Sequence, residues 1–234
     1  MARERGNGPL GLIADGAFRR VWLAGGVVGL VRWFDTVVAG IYVFDVTGSA
    51  GTVAVVAAMR LLPLIAGAYY GAIAERFALK RLLVFGFSCV TAVYALLTVL
   101  AITGLLAIWH VGLGLLLVGI YGASEMSVRR TLAGEIAGKD RISAAMGLDW
   151  GTVNATRLAG PLAGGAIYQA FGIGASYATC GVLYGLSILL LLGLRAGTVA
   201  MASCRGQRIR CGVSGRPPAR AVHSPPLTRR MRTR

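Results

Sequence analysis

The chain is written as long apolar runs broken by short polar gaps. Six runs of roughly 20 residues recur, each long enough as a helix to cross the ~30 Å hydrocarbon core of a bilayer. They cover 21–43, 52–73, 82–102, 109–126, 146–170 and 176–194. The gaps are short, and Thr47-Gly48-Ser49 and Phe171-Gly172-Ile173-Gly174 carry turn chemistry. The first run is too long for the apolar region of a cleavable signal peptide and contains Arg32 and Asp35. The pattern therefore predicts an all-α membrane protein with six transmembrane helices.

Composition strengthens this reading. Hydrophobic residues make up 56% of the 234 residues and charged residues 14%, and the mean hydropathy is +0.69. A soluble domain usually carries about 25% charged residues. The basic residues also fix an expected orientation. Arg3, Arg5, Arg19 and Arg20 precede the first run; Arg76, Lys80 and Arg81 separate the second and third. Arg129, Arg130, Lys139 and Arg141 separate the fourth and fifth, and Arg195 follows the sixth. The alternate connections at 45–51, 103–108 and 171–175 hold no Lys or Arg. Both termini are thus expected on the cytoplasmic side of the inner (plasma) membrane.

Metal, cofactor and enzyme chemistry find little footing. Cys89 and Cys180 lie inside apolar runs, where cysteine behaves as a small hydrophobe, and Cys204 and Cys211 have no ligand pattern around them. His110 and His223 stand alone. No nucleophile–base pair or phosphate-cradling loop is present, so the expectation is a protein that is not an enzyme and needs no cofactor or metal.

Two motifs say more. Between the second and third runs stand Gly71, Ala74-Glu75-Arg76, Lys80, Arg81 and Leu83. This spacing resembles the signature between helices two and three of the major facilitator superfamily, with Glu75 for the usual aspartate and Ala78-Leu79 for the usual glycine and arginine. The resemblance implies a cytoplasmic latch made by Gly71, Glu75, Arg76, Lys80 and Arg81, its acid facing a helix N-terminus. In the fifth run, Gly147, Gly160-Pro161 and Gly164-Gly165 resemble the glycine motif of the superfamily's antiporters, with Thr156 where one glycine is missing. Plain helix packing is the other reading, since Gly25/Gly29, Gly67/Gly71 and Gly181/Gly185 share the four-residue spacing.

A further likeness is internal. Residues 63–70 (PLIAGAYY) read much like residues 161–168 (PLAGGAIY), as helices two and five of a 3+3 inverted repeat would. Phe18-Arg19-Arg20-x-Trp22, Thr47-Gly48-Ser49-Ala50 and Arg129-Arg130 resemble the exporter branch that includes bacterial drug and siderophore (enterobactin-type) efflux proteins. The arginine that drug antiporters often carry in helix four has no counterpart in Leu115-Leu116-Leu117-Val118-Gly119.

Charge inside the runs marks the candidate site. An ionised side chain at a helix centre costs about 2.5–3.5 kcal/mol on insertion scales and needs a partner or a wet cavity. Arg32, Asp35, Arg60 and Arg157 lie deep enough, with Glu125 and Asp149 nearer the ends, where they could reach water. Arg32 and Asp35 share a helix face and are placed to pair, as do Asn154 and Arg157. The expected substrate and proton pathway is Arg32, Asp35, Arg60, Glu125, Asn154 and Arg157, on spans one, two and five around a polar cavity for an anionic or phenolate-like group. Asp35 is its first proton-linked acid and Glu125 its second. The plainer reading pairs Arg32 with Asp35 and lets the other arginines snorkel.

Residues 1–195 are expected to form the bundle and residues 196–234 a disordered cytoplasmic tail. From Arg195 onward there are ten Arg and no Lys, Asp, Glu, Phe, Trp or Tyr, so ten of the net +15 charges lie there. The tail reads either as GC-rich coding sequence translated out of frame, making a truncated transporter, or as a genuine polybasic arm. Bilayer lipid, a small-molecule substrate and protons are the expected partners, with a second copy or a separate C-terminal half completing the fold. Nucleic acid is disfavoured because stacking aromatics are absent from the tail. The function expected is a half-sized secondary transporter, exporting a drug or siderophore against protons by alternating access. The alternative is a non-transporting six-span scaffold or inactive remnant whose basic tail binds lipid or a partner.

Overall fold

Lipid offers the backbone no hydrogen-bond partner, so an apolar run that enters it must satisfy its own amides, and a helix does this within one segment. The computed structural model describes residues 9–65, 79–138 and 141–193. Every regular element among them is a helix: α1 Pro9–Ala14, α2 Gly16–Thr47, α3 Ala50–Ile65, α4 Leu79–Ile102, α5 Ile108–Ala137 and α6 Ile142–Leu192. The Gly71, Glu75 and Arg76 positions of the latch lie outside the described residues, as does the tail.

At 51 residues, α6 is too long for one crossing: a straight helix of that length would run about 75 Å. It is broken at Gly172, whose φ of 78° and ψ of −173° suit a residue without Cβ. Contacts on either side show that the chain reverses there. The first limb puts Thr152 against Trp22 near the start of α2, and Tyr168 against Asp45 near its end. The second limb brings Gly174 beside Ile102 and returns Gly193 to Arg20. Gly48 and Gly104 likewise take positive φ (61° and 71°), so three left-handed glycines turn the chain at the end of the bundle where the connections lack basic residues. The opposite end carries Arg19, Arg20 and Arg81; we refer to it as the basic end.

By length and composition, α2, α4, α5 and α6 can cross a membrane, whereas the apolar stretch Ala50–Pro63 of α3 is shorter. Large apolar side chains on the perimeter, among them Phe85, Leu158, Leu162 and Val182, face outward, as lipid contact requires.

Packing sorts the helices into pairs. α2 lies along the first limb of α6, α3 along α5, and α4 along the second limb of α6. The α2–α6 seam is close enough to exclude side chains. A Cβ on Gly160 would lie 2.8 Å from the Leu30 carbonyl oxygen, and one on Gly164 would lie 2.9 Å from that of Phe34. Across the same seam, Gly29 faces Thr156, so the room missing at Thr156 is supplied by a glycine on the partner helix. Between α4 and the second limb, Phe87 and Tyr94 pack on Tyr184 with ring centroids 5.6 Å and 5.7 Å apart, and Tyr94 lies 6.2 Å from Tyr177.

Helix limits differ from the sequence reading at the basic end. α5 continues to Ala137 and α6 begins at Ile142, where the hydropathy pattern places a connection over 127–145. Arg129 and Arg130 do not end the helix, because interhelical carboxylates take up their charge. The short helix α1, which no apolar run marks, places Leu12 fully inside the core.

Candidate functional site

Between α2, α3 and α5 the bundle encloses a cavity of about 580 Å³, closed on one side by Tyr184 from the second limb of α6. Its walls are mostly aliphatic, with Val43 and Val53 toward the glycine-turn end and Met126 toward the other. Two arginines line it, Arg32 from α2 and Arg60 from α3. Trp33 and Tyr184 are its aromatic lining residues. Glycines at 119 and 122 of α5 keep the helix low: a Cβ at Gly119 would press on the Arg60 carbonyl at 2.5 Å, and one at Gly122 would touch Arg32 Nη2 at 3.7 Å.

Each cavity arginine has a carboxylate behind it. Arg60 Nη1 donates to Asp35 Oδ2 at 2.5 Å, and Arg32 Nη2 donates to Glu125 Oε2 at 2.8 Å. Asp35 and Glu125 are almost sealed from solvent, at 1% and 2% exposure. The pairing of Arg32 with Asp35 suggested by their spacing is not what forms. Helical side chains lean toward the N-terminus. Arg32 therefore reaches away from Asp35, and each residue takes its partner from a neighbouring helix.

The second pair opens into a chain of charges leading to the basic end. Glu125 Oε1 accepts from Arg129 Nε at 2.9 Å, one helical turn on. Arg129 Nη1 donates to Asp149 Oδ1 of α6 at 2.5 Å, and Arg130 Nε donates to Asp149 Oδ2 at 2.8 Å. Arg129 is 5% exposed and lies flat beneath α2 at Gly25, where any Cβ would collide with its guanidinium. Arg130 also stands 4.9 Å from the Trp150 ring centroid. Contrary to the expectation from their position near the helix ends, Glu125 and Asp149 do not reach water; they are buried and shared, each between two arginines.

Other expected site residues fall elsewhere. Arg157 stands 4.9 Å from the Trp33 ring centroid, behind the cavity wall, and is itself exposed. Asn154 is exposed and donates to its own helix at Trp150 O. The cavity is therefore lined by spans one, two and four, not by one, two and five. Of the glycine motif, Gly160 and Gly164 form the seam, whereas Gly147 and Gly165 have open space where a Cβ would go. Pro161 leaves the Arg157 carbonyl without its helical donor. Of the latch, Lys80 falls in the first turn of α4, and Arg81 beside it is exposed.

Sequence reasoning missed the aromatic shell. Among the described residues the hydroxyls of Tyr94 and Tyr177 are buried with no hydrogen-bond partner, and both lie within electrostatic reach of Asp35. No charge pattern marks them. The Glu125–Arg129 pair, by contrast, was readable as an i,i+4 spacing on one helix. Among the described residues no group of three or more His, Cys, Asp or Glu comes together as a metal site.

A family model described as transmembrane secretion effector matches residues 7–210. No curated protein matches the chain.

Proposed function

The chain belongs to the transmembrane secretion effector family of facilitator-type transporters, and we propose that it is a six-span half of a proton-coupled exporter. It is a multi-pass membrane protein acting on a small molecule, a transporter and not an enzyme. The observation that carries the proposal is the cavity lined by Arg32 and Arg60 inside a bundle of apolar helices. An ionised side chain at that depth costs about 2.5–3.5 kcal/mol. Two buried carboxylates offset this cost while leaving both guanidiniums turned to the empty space.

In this proposal the six spans are α2, α3, α4, α5 and the two limbs of α6. Packing supports a 3+3 inverted repeat that exchanges spans one and four, two and five, and three and six. Under it the α2–first limb pair and the α5–α3 pair change places, and the α4–second limb pair maps onto itself. The basic end faces the cytoplasm in this reading, with the latch at Gly71, Glu75, Arg76, Lys80 and Arg81 on that side and the bundle closing near residue 195. A second copy or a separate half supplies the other wall of the pathway, and the two halves rock about the cavity. Asp35 carries the coupled proton, with Glu125 as the second acid. Asp35 is buried against Arg60, so protonation of the acid and release of the arginine can be coupled, which supports this reading. Arg157 acts from behind Trp33, and the kinship is with drug and siderophore exporters.

Reconstitution tests the proposal. In proteoliposomes holding a pH gradient, a transported compound should dissipate the gradient, read as recovery of quenched acridine fluorescence. Asp35→Asn should abolish that recovery while the protein remains inserted. Recovery that persists in Asp35→Asn would remove Asp35 from the proton path. A gradient unmoved by a broad compound panel would remove the transport proposal.

A further inference from the structure

The two cavity arginines are not electrostatically equivalent. Arg60 meets one carboxylate, Asp35, and among the described residues that pair is closed and neutral. Arg32 is one end of a chain in which three guanidiniums, Arg32, Arg129 and Arg130, share two carboxylates, Glu125 and Asp149. Among the described residues that chain carries one unbalanced positive charge, shared between its two ends at Arg32 and Arg130. Of its members among the described residues, Arg32 is the arginine that lines the cavity. Its side chain is 28% exposed, against 13% for Arg60.

Arg32 also has donors to spare. A guanidinium offers five N–H groups in a planar fork. Among the described residues one of them, on Nη2, is spent on Glu125. An anion can therefore be taken by the same head without displacing Glu125. Arg60 and Thr36 apart, the rest of the lining is apolar, and it includes Trp33, next to Arg32 in sequence, and Tyr184.

Resting on the transporter proposal above, we infer that the cargo is a monoanion carrying an aromatic ring, its charge seated on Arg32 and its ring between Trp33 and Tyr184. A dianion would bring one negative charge more than the site balances. A neutral analogue would leave the free donors of Arg32 without a charged acceptor. The volume of about 580 Å³ lies within the range of pockets that hold one drug-sized molecule.

Binding to the purified full chain in lipid nanodiscs, measured by calorimetry, tests the inference with three probes of one shape: 2-naphthoate, its neutral amide and naphthalene-2,6-dicarboxylate. Naphthoate is expected to bind saturably, and the amide about tenfold or more weaker, the worth of one charged hydrogen bond. The dicarboxylate should also bind more weakly than naphthoate. This comparison needs no variant, so misfolding cannot obscure it. Arg32→Gln should then cost naphthoate about tenfold or more, and Arg60→Gln less. Glu125→Gln, which adds one net positive charge to the chain, should tighten naphthoate and admit the dicarboxylate. Equal binding of naphthoate and amide, no saturable naphthoate binding, or an Arg32→Gln protein that binds naphthoate like wild type would overturn the inference. Naphthoate binding without naphthoate movement in proteoliposomes would leave the anion seat standing and count against transport. Movement of cargo untouched by Arg32→Gln would leave transport standing and remove the seat.

Discussion

The two faces of α2 are built on opposite principles. Toward the first limb of α6 the helix presents Gly26, Gly29 and the bare backbone at Leu30 and Phe34, and the partner fits against it with glycines of its own. Toward α3 and α5 the same helix presents Arg32, Thr36 and Gly40 to a cavity. One face is held by shape and the other by charge. The contrast teaches that a single span can serve as a fixed seam and as the wall of a chamber. It does so because Gly26 and Gly29 fall on one side of the helix and Arg32 on another. A seam of that closeness tolerates no repacking, so conformational change in this bundle is expected on the charged side.

The largest effect should come from the charged side. Glu125→Ala strands Arg32 and Arg129 without their shared carboxylate. Breaking a buried ion pair by removing one partner costs about 3–5 kcal/mol, which should appear as a marked drop in thermal unfolding temperature in detergent. Next comes the seam: Gly160→Leu drives a side chain into the backbone of α2, with an overpacking cost of about 1–3 kcal/mol. If Gly160→Leu is harmless while Glu125→Ala is not, the two faces are less different than their geometry implies. Tyr168→Phe removes the 2.8 Å hydrogen bond to Asp45 that ties the far end of the seam. Loss of a single hydrogen bond of this kind is worth about 0.5–1.5 kcal/mol. Smallest of all should be Gly147→Ala, where a Cβ enters open space. A change within about 0.5 kcal/mol is expected in the same assay. A large loss there would mean that the whole glycine motif, and not its second half alone, is packed.

Much of this was written in the sequence, and what was not has a physical reason. Apolar runs mark where helices lie, because lipid demands long uninterrupted stretches. Gly48 and Gly172 mark turns, because positive φ favours a residue with no Cβ. Arg32, Asp35, Arg60 and Glu125 were legible as candidate site residues from the cost of burying charge. Their pairing was not, since partners come from helices far apart in the chain: Arg32 with Glu125 and Asp35 with Arg60. Arg129, Arg130 and Asp149 read as a basic loop and its neighbour, yet they form a buried clamp because α5 and α6 both run on past the hydropathy boundary. Arg157 had the right depth on the wrong face, and depth alone carries no information about which way a helix turns its side chains. Tyr94 and Tyr177 were invisible as polar groups, since tyrosine in an apolar run looks like bulk.

The central claim is that the space beside Arg32 and Arg60 is a water-reached chamber inside the membrane bundle. It is tested most directly by cysteine accessibility in native membranes, in a background with the four native cysteines replaced by serine. Ala57 lines the cavity, whereas Leu162 is 76% exposed on the perimeter. A negatively charged, membrane-impermeant thiosulfonate should modify Ala57→Cys and spare Leu162→Cys, and 2-naphthoate should slow the first reaction. Equal labelling at both positions, or an Ala57→Cys protein inert to the reagent, would contradict the account.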